Sequence, residues 1–170
     1  DYSQNPYRAE SDSIIRKWNL GVTENDRGEY RKGKLVDPAH PVVFYIDTCC
    51  PAEFVPYIKE GVLAWNAAFE KAGFKNALRV KMADSKTVLE EQRAVIAYDL
   101  HEAGIRTGYT FHPKTGEILS CRVNIGHGFL PKELWRYVLE CGTVDDRIRK
   151  EFFHPDVVGE ILRSKVIRAV

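Results

Sequence analysis

The chain has 170 residues, and its 25 basic and 24 acidic side chains nearly cancel to a formal net charge of +1. This balance argues against a nucleic-acid surface, which needs basic residues free of neutralising acids. No apolar run approaches the roughly 20 residues that a membrane helix needs, so we expect no membrane span. The N-terminus shows no signal-peptide pattern, which leaves either a cytosolic protein or one whose leader is not part of this chain.

The four cysteines, Cys49, Cys50, Cys121 and Cys141, show no C-x-x-C spacing, which excludes a zinc ribbon. A disulfide between Cys121 and Cys141 is possible in an oxidising compartment. Free and partly buried thiols are the favoured interpretation, and the redox compartment stays open.

Residues 1–40 are polar and rich in turn formers. We interpret them as an N-terminal arm with a short strand or hairpin, docked through Trp18, on a domain that spans residues 41–170. The domain opens with the segment 41–47, whose β-branched and aromatic residues predict a strand buried on both faces.

A long helix is predicted next. Pro51 and Glu53 are typical of a helix start, and Gly73 is typical of a C-terminal cap. Between them apolar residues recur at steps of three or four, which predicts one continuous helix with its apolar face in the core. These residues are Phe54, Ile58, Val62, Trp65, Phe69 and Ala72.

The remaining pattern predicts strands and then helices. Residues 76–82 and 94–98 read as strands, with a loop or helical turn at 85–92. Segments 106–111 and 117–125 flank the turn sequence 112–116 and predict a hairpin near a sheet edge. Amphipathic helices follow at 131–140 and from about His154.

This order of elements predicts the α+β class: a twisted mixed sheet of about four to five strands, backed by one long helix, with C-terminal helices. The last helix carries no stop signal before Val170, so we expect the domain to be truncated at its C-terminus.

Few side chains suggest a catalytic or metal site. No two histidines are spaced one helical turn apart; the five are His40, His101, His112, His127 and His154. A zinc site formed by His112 and His127 is the minor possibility. For His112 and His154, which precede prolines, roles in a turn or a helix cap are favoured. Cys49 or Cys50 at a helix start could be a nucleophile, but neither has an evident base, so packing is favoured. The pairs Glu90–Glu91 and Asp145–Asp146 are interpreted as solvated surface.

From about residue 36 onward the chain resembles a family of large bacterial zinc-dependent proteases of metzincin type, commonly described as containing domains of unknown function. The residues that carry the resemblance are Pro41–Asp47, Tyr57–Ala77, His112–Leu119 and Gly159–Lys165, of which the W-N-x-A-F-x-x-A-G-F run is fairly specific.

The resemblance implies the upper subdomain of a metzincin, with residues 117–125 as the sheet edge that binds a peptide substrate through Ser120, Arg122, Asn124 and Ile125. It implies a secreted, periplasmic or cell-envelope location. The family's next element carries H-E-x-x-H-x-x-G-x-x-H, in which the histidines bind zinc and the glutamate acts as general base.

The sequence departs from that motif at its start, where Arg168 replaces the first histidine and Ala169 the glutamate. We therefore predict no catalytic residue, no metal ligand and no zinc in this chain, with zinc expected only if a downstream motif is intact. Two hypotheses follow: part or a degenerate homologue of a zinc metallopeptidase, inactive on its own, or a non-catalytic module that binds a peptide or protein.

Overall fold

The computed structural model describes residues 13–84 and 93–170 of the chain. The strands are β1 (Val42–Ile46), β2 (Leu78–Met82), β3 (Ala94–Asp99), β4 (Ile105–Phe111) and β5 (Ile118–Gly126). The helices are α1 (Arg27–Arg31), α2 (Val55–Leu63), α3 (Asn66–Lys71), α4 (Phe129–Cys141), α5 (Asp146–Lys150) and α6 (Pro155–Ala169). The predicted segment 85–92 and the pair Glu90–Glu91 lie outside the described residues.

The strands form one mixed sheet in the order β2-β1-β3-β5-β4. The pairs β1–β2, β1–β3 and β3–β5 are parallel, and β4 is antiparallel to β5. The predicted hairpin is therefore confirmed, with its turn closed by the hydrogen bond from the Gly116 amide to the His112 carbonyl (2.9 Å). A five-stranded mixed sheet with C-terminal helices confirms the predicted α+β class.

The core lies between one face of the sheet and helices α2, α4 and α6. Side chains that are almost wholly buried come from every layer of this core, because each apolar helix face must be covered by the sheet. They include Phe44 and Ile46 of β1, Val123 of β5, Ile58 of α2, Leu134 of α4 and Leu162 of α6.

Two-sided burial occurs in a different strand from the one predicted. In β1, Val42, Phe44 and Ile46 are buried, but Val43 and Tyr45 are only half-buried, so the prediction for this strand is wrong. In β3 the first four residues, 94–97, are all buried. β3 lies in the middle of the sheet, with Ala94 and Ile96 in the core and Val95 and Ala97 on the second face. Val95 and Ala97 are small, so the side chains of the neighbouring strands cover them.

The predicted long helix is divided into α2 and α3. The Trp65 amide donates to Val62 and not to the residue four positions back, which tightens the turn between the two helices. Two side chains at this point bond to other elements. The Trp65 indole donates to the Ile167 carbonyl (2.8 Å), and the Asn66 amide pairs with the backbone of Leu78. Trp65 is 39% exposed, so its expected place in the core is wrong, whereas Phe69 does pack against the core.

The described part of the N-terminal segment contacts the sheet through Trp18, whose ring lies edge-on to Phe44 with the ring centroids 6.3 Å apart. Lys17 forms an isolated parallel bridge with Glu117, and Val22 an antiparallel one with Pro38. Helix α1 is not predicted by the sequence pattern, because it has no buried residue and thus no apolar face.

Candidate functional site

The strand expected to bind substrate is not at the edge of the sheet. β5 pairs with β3 on one side and with β4 on the other, so its predicted edge position is wrong. A hairpin pattern shows that two strands pair, but not which of them meets a third strand. That choice depends on the parallel pairing of β3 with β5, between residues distant in sequence.

The four predicted substrate-binding residues lie on opposite faces of β5. Ser120, Arg122 and Asn124 are on the face away from the helices, where Arg122 Nε donates to Asn124 Oδ1 (3.1 Å). Ile125 is 2% exposed and lies in the core, so it has no surface to offer a ligand. The predicted set is thus not brought together as one site.

The free edge of the sheet near these residues belongs to β4. In the antiparallel pairing, the Gly126 amide donates to the Gly104 carbonyl (2.9 Å), so the alternate residues Arg106, Gly108 and Thr110 bond to β5. The amides and carbonyls of Ile105, Thr107 and Tyr109 therefore point away from β5. Within the described residues β4 has no other partner strand.

A cleft of about 340 Å³ lies beside this edge, between β4 and helices α4 and α6; we call it the β4 cleft. Its charged lining residues are Lys132, Glu133, Lys165 and Arg168. Glu133 forms ion pairs with Lys165 (2.8 Å) and Arg136 (2.6 Å), which neutralise the negative charge of its carboxylate. The cleft therefore has an excess of positive charge, from Lys132 and Arg168.

The end of α6 is bonded to β4. Thr107 Oγ1 donates to the Ala169 carbonyl (2.9 Å), and the Tyr109 hydroxyl donates to the Val170 carbonyl (3.3 Å). Burial raises the pKa of Tyr109, which keeps this phenol protonated and able to donate. The residues at this position do not fit zinc, because neither a guanidinium (Arg168) nor a methyl side chain (Ala169) is a zinc ligand.

The histidines that precede prolines have local structural roles, as predicted. His112 Nδ1 accepts from the amides of Lys114 and Thr115 in the hairpin turn, both at 3.3 Å. His154 caps α6 by accepting from the Asp156 amide (3.3 Å). His127 follows β5 and its Nδ1 lies 2.8 Å from the Tyr98 hydroxyl. In residues 13–84 and 93–170, no three His, Cys, Asp or Glu side chains are grouped so that they could hold a metal ion.

All four cysteines are free thiols. Burial, reinforced by the nearby Asp47 carboxylate, raises the pKa of Cys50 to about 11, so Cys50 is protonated at neutral pH and is not an activated nucleophile. Cys49 is exposed, and its amide donates to Asp47 Oδ1 (3.0 Å).

The adjacent acids Asp145 and Asp146 differ in their exposure to solvent. Asp146 is exposed, as predicted, and pairs with Arg149. Asp145 is not simple solvated surface, since its side chain is 14% exposed and accepts from Arg147 (2.8 Å) and from the Tyr137 hydroxyl (2.7 Å). Arg147 also binds Glu160 (2.9 Å), so this cluster joins α4, α5 and α6.

In the described part of the chain, no helix has both the length and the apolar character required to cross a bilayer. Comparison with family models, with curated proteins and with solved structures gave no match to this chain.

Proposed function

We propose that this chain is the peptide-holding framework of a metzincin-like zinc peptidase, as a part or a degenerate homologue of one, and that it does not itself carry the zinc site. A peptide lies extended along β4 and pairs with its free edge. The observation that carries the proposal is the outward-facing backbone of Ile105, Thr107 and Tyr109. A secreted, periplasmic or cell-envelope location belongs to the same proposal and rests on the sequence resemblance alone.

The β4 cleft gives such a peptide a second set of contacts. Successive side chains of a strand point to opposite faces, so every other peptide side chain would enter the cleft next to Lys132 and Arg168. The remaining peptide side chains would lie on the face of the exposed Arg122 and of Arg106, whose charge is shared with Glu102 (3.3 Å). Basic groups on both faces favour peptides with acidic side chains.

The alternative is a non-catalytic module that binds a peptide or protein and has lost peptidase chemistry. The observation that favours it is the bond between the Ala169 carbonyl at the end of α6 and Thr107. By the sequence resemblance, Arg168 and Ala169 would take the first histidine and glutamate positions of the family's zinc motif. Both candidates use the β4 edge and differ in whether peptide hydrolysis follows.

Binding is tested with an array of random decapeptides, followed by NMR titration of the labelled chain with the best binder. We expect amide shifts and slowed hydrogen exchange at Ile105, Thr107 and Tyr109, because their free amides would gain partners. The proposal fails if no decapeptide binds, or if the shifts lie away from β4.

The contribution of the backbone edge is isolated at Thr107. Thr107→Pro removes an outward amide without removing a bond to β5, and we expect about ten-fold weaker binding. Thr107→Val keeps the amide and the branched shape but loses the hydroxyl, and should change affinity by about two-fold or less. Equal losses in both variants would show that the side chain, and not the edge, binds the peptide.

The absence of a zinc site in this chain is tested by metal analysis and by a peptide-hydrolysis assay with added zinc. We expect neither stoichiometric zinc nor turnover. Hydrolysis by this chain alone that a chelator abolishes would contradict the proposal.

A further inference from the structure

A second cavity, of about 670 Å³, lies at the opposite side of α4's first turn from the β4 cleft. Tyr98 near the end of β3 and His127 after β5 form one side of it. Its other sides are formed by Phe54 and Tyr57 at the start of α2 and by Val158 in α6. Its volume is within the range of small-molecule sites, and the carboxyl end of parallel strands is where such sites occur in α/β sheets. We call it the aromatic cavity.

The lining of this cavity is apolar and rich in rings. Phe54, Tyr57, Tyr98 and Phe153 contribute aromatic side chains, and Leu130 and Val158 contribute aliphatic ones. Phe153 is 51% exposed, so it forms part of an accessible rim. A flat aromatic ligand would bury its rings against these side chains.

Two close contacts hold the walls in place. Tyr57 packs against Gly159 of α6 so closely that a Cβ at Gly159 would lie 2.3 Å from the Tyr57 ring. His127 follows Gly126, where a Cβ would lie 2.2 Å from the Glu102 carbonyl oxygen. The Tyr98–His127 contact then fixes the orientation of the imidazole. The cavity is therefore formed before any ligand arrives, which lowers the entropic cost of binding.

The charges of the lining select among aromatic ligands. Of the described residues that line the cavity, none is lysine or arginine, and Glu53 supplies a carboxylate. Pro155 is the first residue of α6 and Pro131 lies in the first turn of α4, and neither lining residue has an amide hydrogen to offer an anion. Among the described lining residues an anionic ligand would thus find no lysine or arginine and would be repelled by the Glu53 carboxylate, whereas an ammonium group would be attracted by it.

From this combination we infer that the aromatic cavity is a binding site for a small aromatic amine, with the ring system between Phe54, Tyr57 and Phe153 and the ammonium group towards Glu53. This site is separate from the β4 edge and does not depend on peptide binding there.

The inference is tested with three probes that share an indole ring and a two-carbon chain: tryptamine (cation), tryptophol (neutral) and indole-3-propionate (anion). Affinities are measured by NMR titration of the labelled chain. We expect the order tryptamine, tryptophol, indole-3-propionate, with shifts at Tyr98 and His127. Because Glu53 is exposed, the preference for tryptamine over tryptophol should be about two- to five-fold.

Variants distinguish the contribution of the Glu53 charge from that of the apolar cavity walls. Glu53→Gln should remove the preference for tryptamine and leave tryptophol binding unchanged. Phe153→Ala, at the exposed rim, should weaken all three probes, while Leu139→Ala, at an 83% exposed position of α4 outside the cavity, should change none. The inference is overturned if no probe binds at millimolar concentration, if indole-3-propionate binds tightest, or if Glu53→Gln leaves the preference intact.

Discussion

Gly116 is a residue whose lack of a side chain serves two purposes at once. Its φ of +70° belongs to the left-handed region, and a Cβ there would lie 2.2 Å from the Ile15 carbonyl oxygen. The N-terminal segment crosses the hairpin turn at this point, where the Lys17 amide donates to the Gly116 carbonyl (3.0 Å). The glycine thus allows both the turn and the close approach of a second backbone.

We predict that Gly116→Ala lowers the free energy of unfolding by about 3 kcal/mol, from backbone strain plus displacement of the Ile15 backbone. The matched variant is Gly33→Ala, which has φ of +78° but no described residue within 4 Å of the new Cβ. It should lose about 1 kcal/mol, from strain alone. Urea denaturation measures both, and equal losses would contradict the contact with Ile15.

At the scale of elements, helices α2 and α6 meet through small residues. A Cβ at Gly61 of α2 would lie 2.8 Å from Val166 Cβ and 3.0 Å from the Arg163 carbonyl oxygen. Glycines inside helices lower helix propensity, so their presence is explained by this close crossing and not by local preference. The crossing in turn positions Tyr57 and Val158, two walls of the aromatic cavity.

Gly61→Ala should therefore destabilise the fold by about 1–2 kcal/mol, since separating the helices costs more than the gain in helix propensity. Gly28→Ala is the control, because Gly28 lies in α1 and no atom of the described part of the chain lies within 4 Å of a Cβ there. There the same change should be neutral or stabilising by up to about 1 kcal/mol. Thermal or urea unfolding compares the pair, and a stabilised Gly61→Ala would refute the close crossing.

The ion cluster that joins α4, α5 and α6 should make stability depend on pH. Hydrogen bonds from Arg147 and, with a smaller effect, from the Tyr137 hydroxyl hold the pKa of Asp145 well below its usual range. The Asp145 carboxylate thus binds a proton less readily in the folded than in the unfolded state. The stabilisation that its charge contributes is therefore complete above its pKa in the unfolded chain, about 3.9, and is lost as pH falls below that value.

Asp145→Asn keeps a side chain that can cap α5 but removes the charge. We expect its urea midpoint to lie below that of the parent chain at pH 7, with the difference narrowing progressively below about pH 4. Asp146→Asn, at an exposed position, should show little difference at either pH. A deficit of Asp145→Asn that is independent of pH would contradict a role for its charge.

At the scale of the whole molecule, Cys121 lies in β5 at the centre of the fold and is 1% exposed. Burial raises its pKa to about 11, so both access and ionisation oppose its modification in the folded chain. Its reactivity therefore measures opening of the sheet.

In labelling with a maleimide at neutral pH, we predict that exposed Cys49 reacts first and that Cys121 reacts only as fast as the chain unfolds. Peptide mapping by mass spectrometry identifies the labelled thiols, and Cys49→Ser should remove the fast phase. Labelling of Cys121 at the rate of Cys49 in folded protein would contradict its burial.

The sequence by itself determined the strands, the hairpin, the start of α6 and the fold class, because these depend on periodicity, turn residues and caps that act over a few positions. Only the tertiary structure decided that the helix from Phe54 divides at Trp65, since Trp65 and Asn66 bond to Ile167 and Leu78. It also decided that β4 and not β5 lies at an edge of the sheet, and that Phe54, Tyr98 and Phe153 line one cavity. These features require contacts between segments far apart in the chain, which no local pattern encodes.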